Sequence, residues 1–232
     1  RSSAASDVYK RQNLTSMMDH PIIAKEEDQD EACYRQFYEE AISLCRQKRF
    51  HEVLEKCRYT SLDDEEEYSI DVIQPEKIEF KQNSYEDGEN SIISFPEFLL
   101  LVLDVCTGGE QPASHYQPDK LIEKFDALKT YFTAGEFYEK MLYYRLLLDY
   151  YTIRRDIKDG QGNYSLILKG PKDDSDKLKQ YQSMLYVSTE AFYNWLKPYL
   201  RKLEQDELHS CAEMLAFLKK EDNEPVSYTH LR

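Results

Sequence analysis

One capped, apolar segment constrains the fold more than any other feature of the chain. Ser94-Phe95-Pro96-Glu97 places serine at a helix N-cap, proline in the first turn and glutamate at the third position. Serine and glutamate at this spacing satisfy each other's backbone donors, and proline there forfeits no hydrogen bond. Phe98, Leu99, Leu100, Leu101, Val102, Leu103 and Val105 follow, with Asp104 among them, so the helix is apolar on nearly every side. Such a helix has to be enclosed by other elements. Its unbroken apolar run, residues 98–103, falls far short of the roughly 20 residues that a membrane span needs. The segment is therefore expected at the centre of a folded domain, with Gly108-Gly109 ending it.

The rest of the chain supplies helices to surround it. Seven Gly and eight Pro in 232 residues are too few for a β-sandwich, which needs a turn signal about every eight to twelve residues. Residues 27–48 place Cys33, Phe37, Ala41, Leu44 and Cys45 on one helical face, and Phe50 opens a second helix with Val53, Leu54 and Cys57 inward. Their short link predicts an antiparallel hairpin. Pro118 starts a helix over 119–132, Ala134-Gly135-Glu136 turns the chain, and a long helix covers 137–156. A turn at 159–162 and a short strand at 164–168 precede helices at 174–187, 189–203 and 206–219. The second of these is expected to be capped by Ser188 and kinked at Pro198. Around Pro75, Tyr68 to Val72 and Lys77 to Phe80 alternate as half-buried strands do, which fits a small hairpin or an irregular polar insertion equally well. The expected architecture is mainly all-α, an irregular array of packed antiparallel helices with room for one or two short β hairpins in insertions. It reads as a single helical domain over 13–224: a hairpin at 27–60, an acidic and polar insertion at 61–93, and a helical core at 94–220.

Residues 1–12 and 225–232 resemble translated cloning-adaptor sequence and are set aside as non-native tails. The adjacent Asn13-Leu14-Thr15 sequon is read as chance. The net charge of −14 becomes −17 once the tails' surplus of three positive charges (Arg1, Lys10 and Arg11 against Asp7, with Arg232) is discounted. That excess favours solubility and opposes direct contact with nucleic acid or anionic lipid. Five cysteines, odd in number and without a Cys-x-x-Cys pair, suit a reduced cytoplasmic protein and give no zinc spacing. No cofactor is expected.

Several motifs bear on chemistry. His51, His115 and His209 are isolated, and no phosphate loop, His-Glu-x-x-His or Gly-x-Ser-x-Gly occurs. Asp104, alone on its apolar helix, is expected to pair with a Lys or Arg; the alternative is a dispersed enzyme site uniting Asp104, His115 and His209. Residues 86–97 resemble an EF-hand loop in Ile93 and Glu97, but Gly88 and Ser91 stand where a carboxylate and the turn glycine belong, and a capping box accounts for the same letters. The acidic run 63–67, after Thr60 and Ser61, reads as a solvated loop or an acid-directed kinase target. Tyr143, Tyr144, Tyr150 and Tyr151 form two pairs seven residues apart. Tyr144 and Tyr151 share a stripe with Leu147 and Leu148 and belong in the core. Tyr143 and Tyr150, with Tyr193 and Trp195, are the candidate partner-binding residues, since rings with a polar tip serve well in a contact groove. The alternative is a Tyr-rich core whose hydroxyls reach solvent.

Three stretches carry a family resemblance. Ser91-Ile92-Ile93-Ser94-Phe95-Pro96-Glu97-Phe98-Leu99-Leu100 is the first. Tyr144-Arg145-Leu146-Leu147-Leu148-Asp149-Tyr150-Tyr151 with Ile153-Arg154-Arg155-Asp156 is the second, and Gln182-Ser183-Met184-Leu185-Tyr186-Val187-Ser188 followed by Trp195-Leu196 the third. In this order, over residues 91–203, they resemble the helical middle region of GmrSD-type modification-dependent restriction endonucleases. The resemblance implies a helical, non-catalytic region between a ParB-like nuclease half upstream, marked by Asp-Gly-Gln-Gln-Arg, and a His-Asn-His half downstream. Neither motif occurs here, so the resemblance assigns no catalytic residue to this chain; the partners it implies are those catalytic domains. The alternative is a protein-binding scaffold. Phe37, Ala41, Leu44, Phe50, Val53 and Cys57 also resemble a tetratricopeptide-type helix pair, although Glu40 replaces the expected Leu and the 34-residue period is absent.

Overall fold

The computed structural model describes residues 31–56, 88–157, 163–172, 175–188 and 191–223. Both tails, the sequon, Cys57, the acidic run 63–67 with Thr60 and Ser61, the alternating stretches around Pro75 and the turn at 159–162 lie outside the described residues. Within them the fold is mainly helical, eight α-helices with one three-stranded antiparallel sheet.

Helices α1 (Glu31–Arg46) and α2 (Phe50–Lys56) pack on each other across a turn in which Lys48 has φ 59°. Lys56 Nζ meets Glu40 Oε2 at 2.6 Å. The buried face comprises Tyr34, Tyr38, Ala41, Ile42, Leu44, Cys45 and Val53. Phe37 is only half-buried, and Leu54, expected inward, is 54% exposed. The face is rotated because Tyr38 stacks on Tyr150, their ring centroids 5.7 Å apart. Here tyrosine outcompetes leucine for the interior because its hydroxyl finds a buried acceptor.

Strand β1 (Gly88–Ser91) leads into α3 (Phe95–Cys106). Glu97 Oε2 accepts from both the Ser94 N–H and the Ser94 hydroxyl at 2.7 Å, closing the expected capping box. Leu100, Leu101, Val102 and Leu103 are fully buried, each worth about 2 kcal/mol relative to exposure. The helix is enclosed, as its sequence requires. Gly108 (φ 105°) and Gly109 (φ 79°) end it, and the Gly109 N–H returns to the Asp104 carbonyl at 2.8 Å.

A 3-10 turn at Pro118–Lys120 precedes α4 (Leu121–Leu128), which is shorter than expected and buries no residue completely. Ala134-Gly135-Glu136 is not a reversal. It is the first turn of α5 (Ala134–Tyr151), capped by a second box: Glu136 Oε2 accepts from the Thr133 N–H at 2.7 Å and Thr133 Oγ1 accepts from the Glu136 N–H at 3.2 Å. Every residue from 141 to 150 is buried, and α5 packs against α1, α3 and the later helix α7 (Leu196–Glu204). It ends before the expected 156. The Thr152 hydroxyl donates to the Leu148 carbonyl at 2.5 Å, and the Ile153 N–H leaves the helix for a side-chain acceptor, Gln182 Oε1, at 2.9 Å. Residues Arg154–Ile157 then form β2, the central strand, with Ser91 opposite Arg154 on one side and Ile167 opposite it on the other. Strand β3 (Tyr164–Ile167) falls within the short strand expected at 164–168.

Helix α6 (Ser175–Ser188) contains Ser188 as its last residue rather than as the cap of its successor. A 3-10 turn, Phe192–Asn194, leads into α7, so Pro198 sits in a first turn and kinks nothing; its missing N–H would have had no helical partner there. Helix α8 (Cys211–Asn223) begins later than expected and carries a third box, with Glu213 Oε2 accepting from the Ser210 N–H at 3.2 Å and Ser210 Oγ accepting from the Glu213 N–H at 3.2 Å. Among the described residues no helix is long and apolar enough to cross a membrane.

Candidate functional site

The three stretches that carry the resemblance meet in space. Gln182, fully buried on α6, accepts from the Ile153 N–H and donates to the Tyr151 carbonyl at 2.9 Å, and its amide also reaches the Tyr199 hydroxyl at 3.4 Å. It thus holds the helix-to-strand corner that its neighbours α5 and β2 share. On the other side of that corner β2 pairs with β1, and Arg155 donates from Nε (3.1 Å) and Nη2 (2.8 Å) to the Ser91 carbonyl.

Beside this junction lies a groove of about 440 Å³. Ile92 and Ile93 come from the link between β1 and α3 and Glu97 from the first turn of α3; Tyr164 comes from β3, Tyr186 and Val187 from the end of α6, and Phe192 and Trp195 from the approach to α7. Trp195 is 4% exposed and forms the floor, whereas Tyr164 (47%) and Val187 (78%) stand at the rim. Burial raises the Tyr186 phenol; Arg155 opposes this, while the Tyr164 hydroxyl bonded to it and Glu97 reinforce it. The groove therefore offers four aromatic rings, an aliphatic wall and one carboxylate whose position is fixed by helix capping.

Of the candidate partner-binding residues, Trp195 lines this groove. Tyr193 lies next to it in sequence, half-buried and stacked on Tyr116 with centroids 4.4 Å apart. Tyr143 and Tyr150, at 5% and 2% exposure, belong to the core. The Tyr143 hydroxyl donates to the Glu204 carbonyl (3.4 Å) and the Tyr150 hydroxyl to Glu39 (2.8 Å). Burial pushes the Tyr143 phenol up to about 12. Tyr164, Tyr186, Phe192 and Glu97 were not anticipated. Glu97 is accounted for by capping, Tyr164 and Phe192 lie outside the three stretches, and only the packing brings these residues together.

Asp104 has the cation expected of it. The fully buried carboxylate accepts from the Gln111 N–H (2.8 Å), from Lys197 Nζ (3.0 Å) and from the Tyr116 hydroxyl. Burial, with that carboxylate beside it, holds the Tyr116 phenol far above its ordinary range. His115 packs edge-on against Tyr116 and donates from Nε2 to the Leu100 carbonyl at 2.8 Å. Asp104 and His115 thus flank one tyrosine. His209 stands apart, exposed on the turn before α8 with its ring 3.6 Å from Asp206, so the dispersed trio does not assemble.

A second buried carboxylate, Asp149, is shared by Arg145 Nε (2.8 Å) and Arg154 Nη1 (3.2 Å), with the Tyr38 hydroxyl at 3.4 Å. No group of three or more potential metal ligands occurs among the described residues, and the 88–91 part of the EF-hand-like stretch is strand. Comparison of the chain with protein-family models, with curated proteins and with solved structures found no match.

Proposed function

We propose that this chain is the helical, non-catalytic region of a GmrSD-like restriction endonuclease, a scaffold that sets the spacing of catalytic domains carried elsewhere in the parent protein. The observation that supports this reading is the meeting of the three resemblance stretches around one corner: Ser91 faces Arg154, Gln182 ties Tyr151 and Ile153, and Trp195 and Ile92 share one groove. The excess of negative charge suits a spacer that leaves nucleic acid to other domains.

The full-length parent gene tests the proposal. An Asp-Gly-Gln-Gln-Arg motif upstream and a His-Asn-His motif downstream, in one reading frame, are expected; a complete flanking frame without either would sink it. A second reading, a protein-binding scaffold of another kind, draws its support from the same aromatic groove and is the one left standing by that outcome.

A further inference from the structure

We propose that the groove floored by Trp195 is a receptor for a basic side chain, lysine or arginine, presented by a segment of a partner protein. The proposal does not depend on the nuclease reading. Tyr164, Tyr186, Phe192 and Trp195 supply rings, and Glu97 a carboxylate, within one cavity of about 440 Å³. Aromatic faces carry the negative lobe of a quadrupole and attract an ammonium or guanidinium within about 6 Å of the ring centroid. Glu97 adds a full negative charge. Its Oε2 is pinned at 2.7 Å by the Ser94 N–H and hydroxyl, so an incoming cation meets an acid already in place and spends little ordering it. Ile93 and Val187 offer the apolar wall against which a methylene stem packs while its head stays polar.

Arg155, whose positive charge reaches Tyr186, opposes a second cation at that ring and is held on the Ser91 carbonyl by two hydrogen bonds, so the attraction rests on Glu97 and the other rings. The net charge of −14 draws positively charged segments toward the surface and disfavours acidic ones. The fold already uses this chemistry within itself: Lys197 lies 5.6 Å above the Tyr116 ring, Lys169 5.6 Å above Tyr34 and Lys219 5.8 Å above Tyr181.

Trp195 is the chain's one tryptophan and reports directly on the groove. The whole chain is titrated at low salt with a glycine- and serine-flanked pentapeptide bearing one central lysine, and with the same peptide bearing norleucine, which keeps the stem and loses the charge. The lysine peptide is expected to shift Trp195 fluorescence saturably, and the norleucine peptide to bind at least tenfold more weakly. Glu97→Gln keeps the capping geometry, because glutamine also serves at that position, and should weaken the lysine peptide about fivefold. Tyr164→Ala, at an exposed edge position, should weaken it with the far-ultraviolet circular dichroism unchanged. Equal binding of the two peptides, no fluorescence response to the lysine peptide, or wild-type affinity in Glu97→Gln would each overturn the proposal.

Discussion

Asp104 on α3 and Asp149 on α5 are both buried carboxylates on apolar helices, yet they are neutralised in different ways. Asp104 is met by a backbone N–H, a phenol and one ammonium, and that ammonium, on Lys197, keeps 17% of its side chain in solvent. Asp149 is shared by two guanidiniums, and Arg154 is 1% exposed with no hydrogen bond of good geometry from its nitrogens. The difference decides which acid the fold needs more. When Asp104 loses its charge, Lys197 can swing to water. Arg154 has no such exit, and an uncompensated charge in the interior costs far more than a lost surface pair.

The comparison breaks or sharpens on four measurements. Asp149→Asn should have the largest effect, a loss of about 3–5 kcal/mol in urea unfolding followed by circular dichroism. Asp104→Asn should cost less, about 2 kcal/mol, the range for hydrogen bonds to a charged group. If Asp104→Asn proved the more damaging, the assignment of the uncompensated cation to Arg154 would be wrong. Gln182→Leu strands the Ile153 N–H without touching either acid and should cost about 1.5 kcal/mol in the same assay; a neutral result would mean that the helix-to-strand corner does not rely on that amide.

The smallest effect concerns pH. His115 Nδ1 is buried without a partner. Burial lowers the imidazole below its ordinary value, the Leu100 carbonyl and Asp104 oppose that, and Lys124 and Lys197 reinforce it. The unfolded chain therefore binds the proton first. Stability should be full above about pH 6.5 and should fall as the pH drops below it. His115→Asn should flatten the urea midpoint between pH 7.5 and 5.5; an unchanged slope would place the acid sensitivity elsewhere.

Much of the fold was legible because the signals were local. The Ser94–Glu97 box marked α3, its apolar run predicted enclosure, and the short segment after the turn at 159–162 marked β3. Two further boxes, Thr133 with Glu136 and Ser210 with Glu213, follow the same serine-or-threonine to glutamate spacing and could have placed the starts of α5 and α8. The end of α5 was not legible. Residues 144–153 read as continuous helix, and the acceptor that draws the Ile153 N–H away lies 29 residues later. The groove was harder still. Trp195 stood among the candidate partner-binding residues, but Glu97 looked wholly explained by capping, and Tyr164 and Tyr186 carry no periodic signal of a shared surface.

The sequence alone determined that these residues make helices around one apolar segment, because hydrophobic period and capping act over three or four residues and are written in order along the chain. Tertiary structure alone decided which tyrosines face solvent, which cation meets which buried acid, and where an aromatic groove opens. Such outcomes draw on groups far apart in the chain, 64 positions for Arg155 with the Ser91 carbonyl and 111 for Tyr38 with Asp149. No local rule fixes a distance between groups that only packing brings into contact.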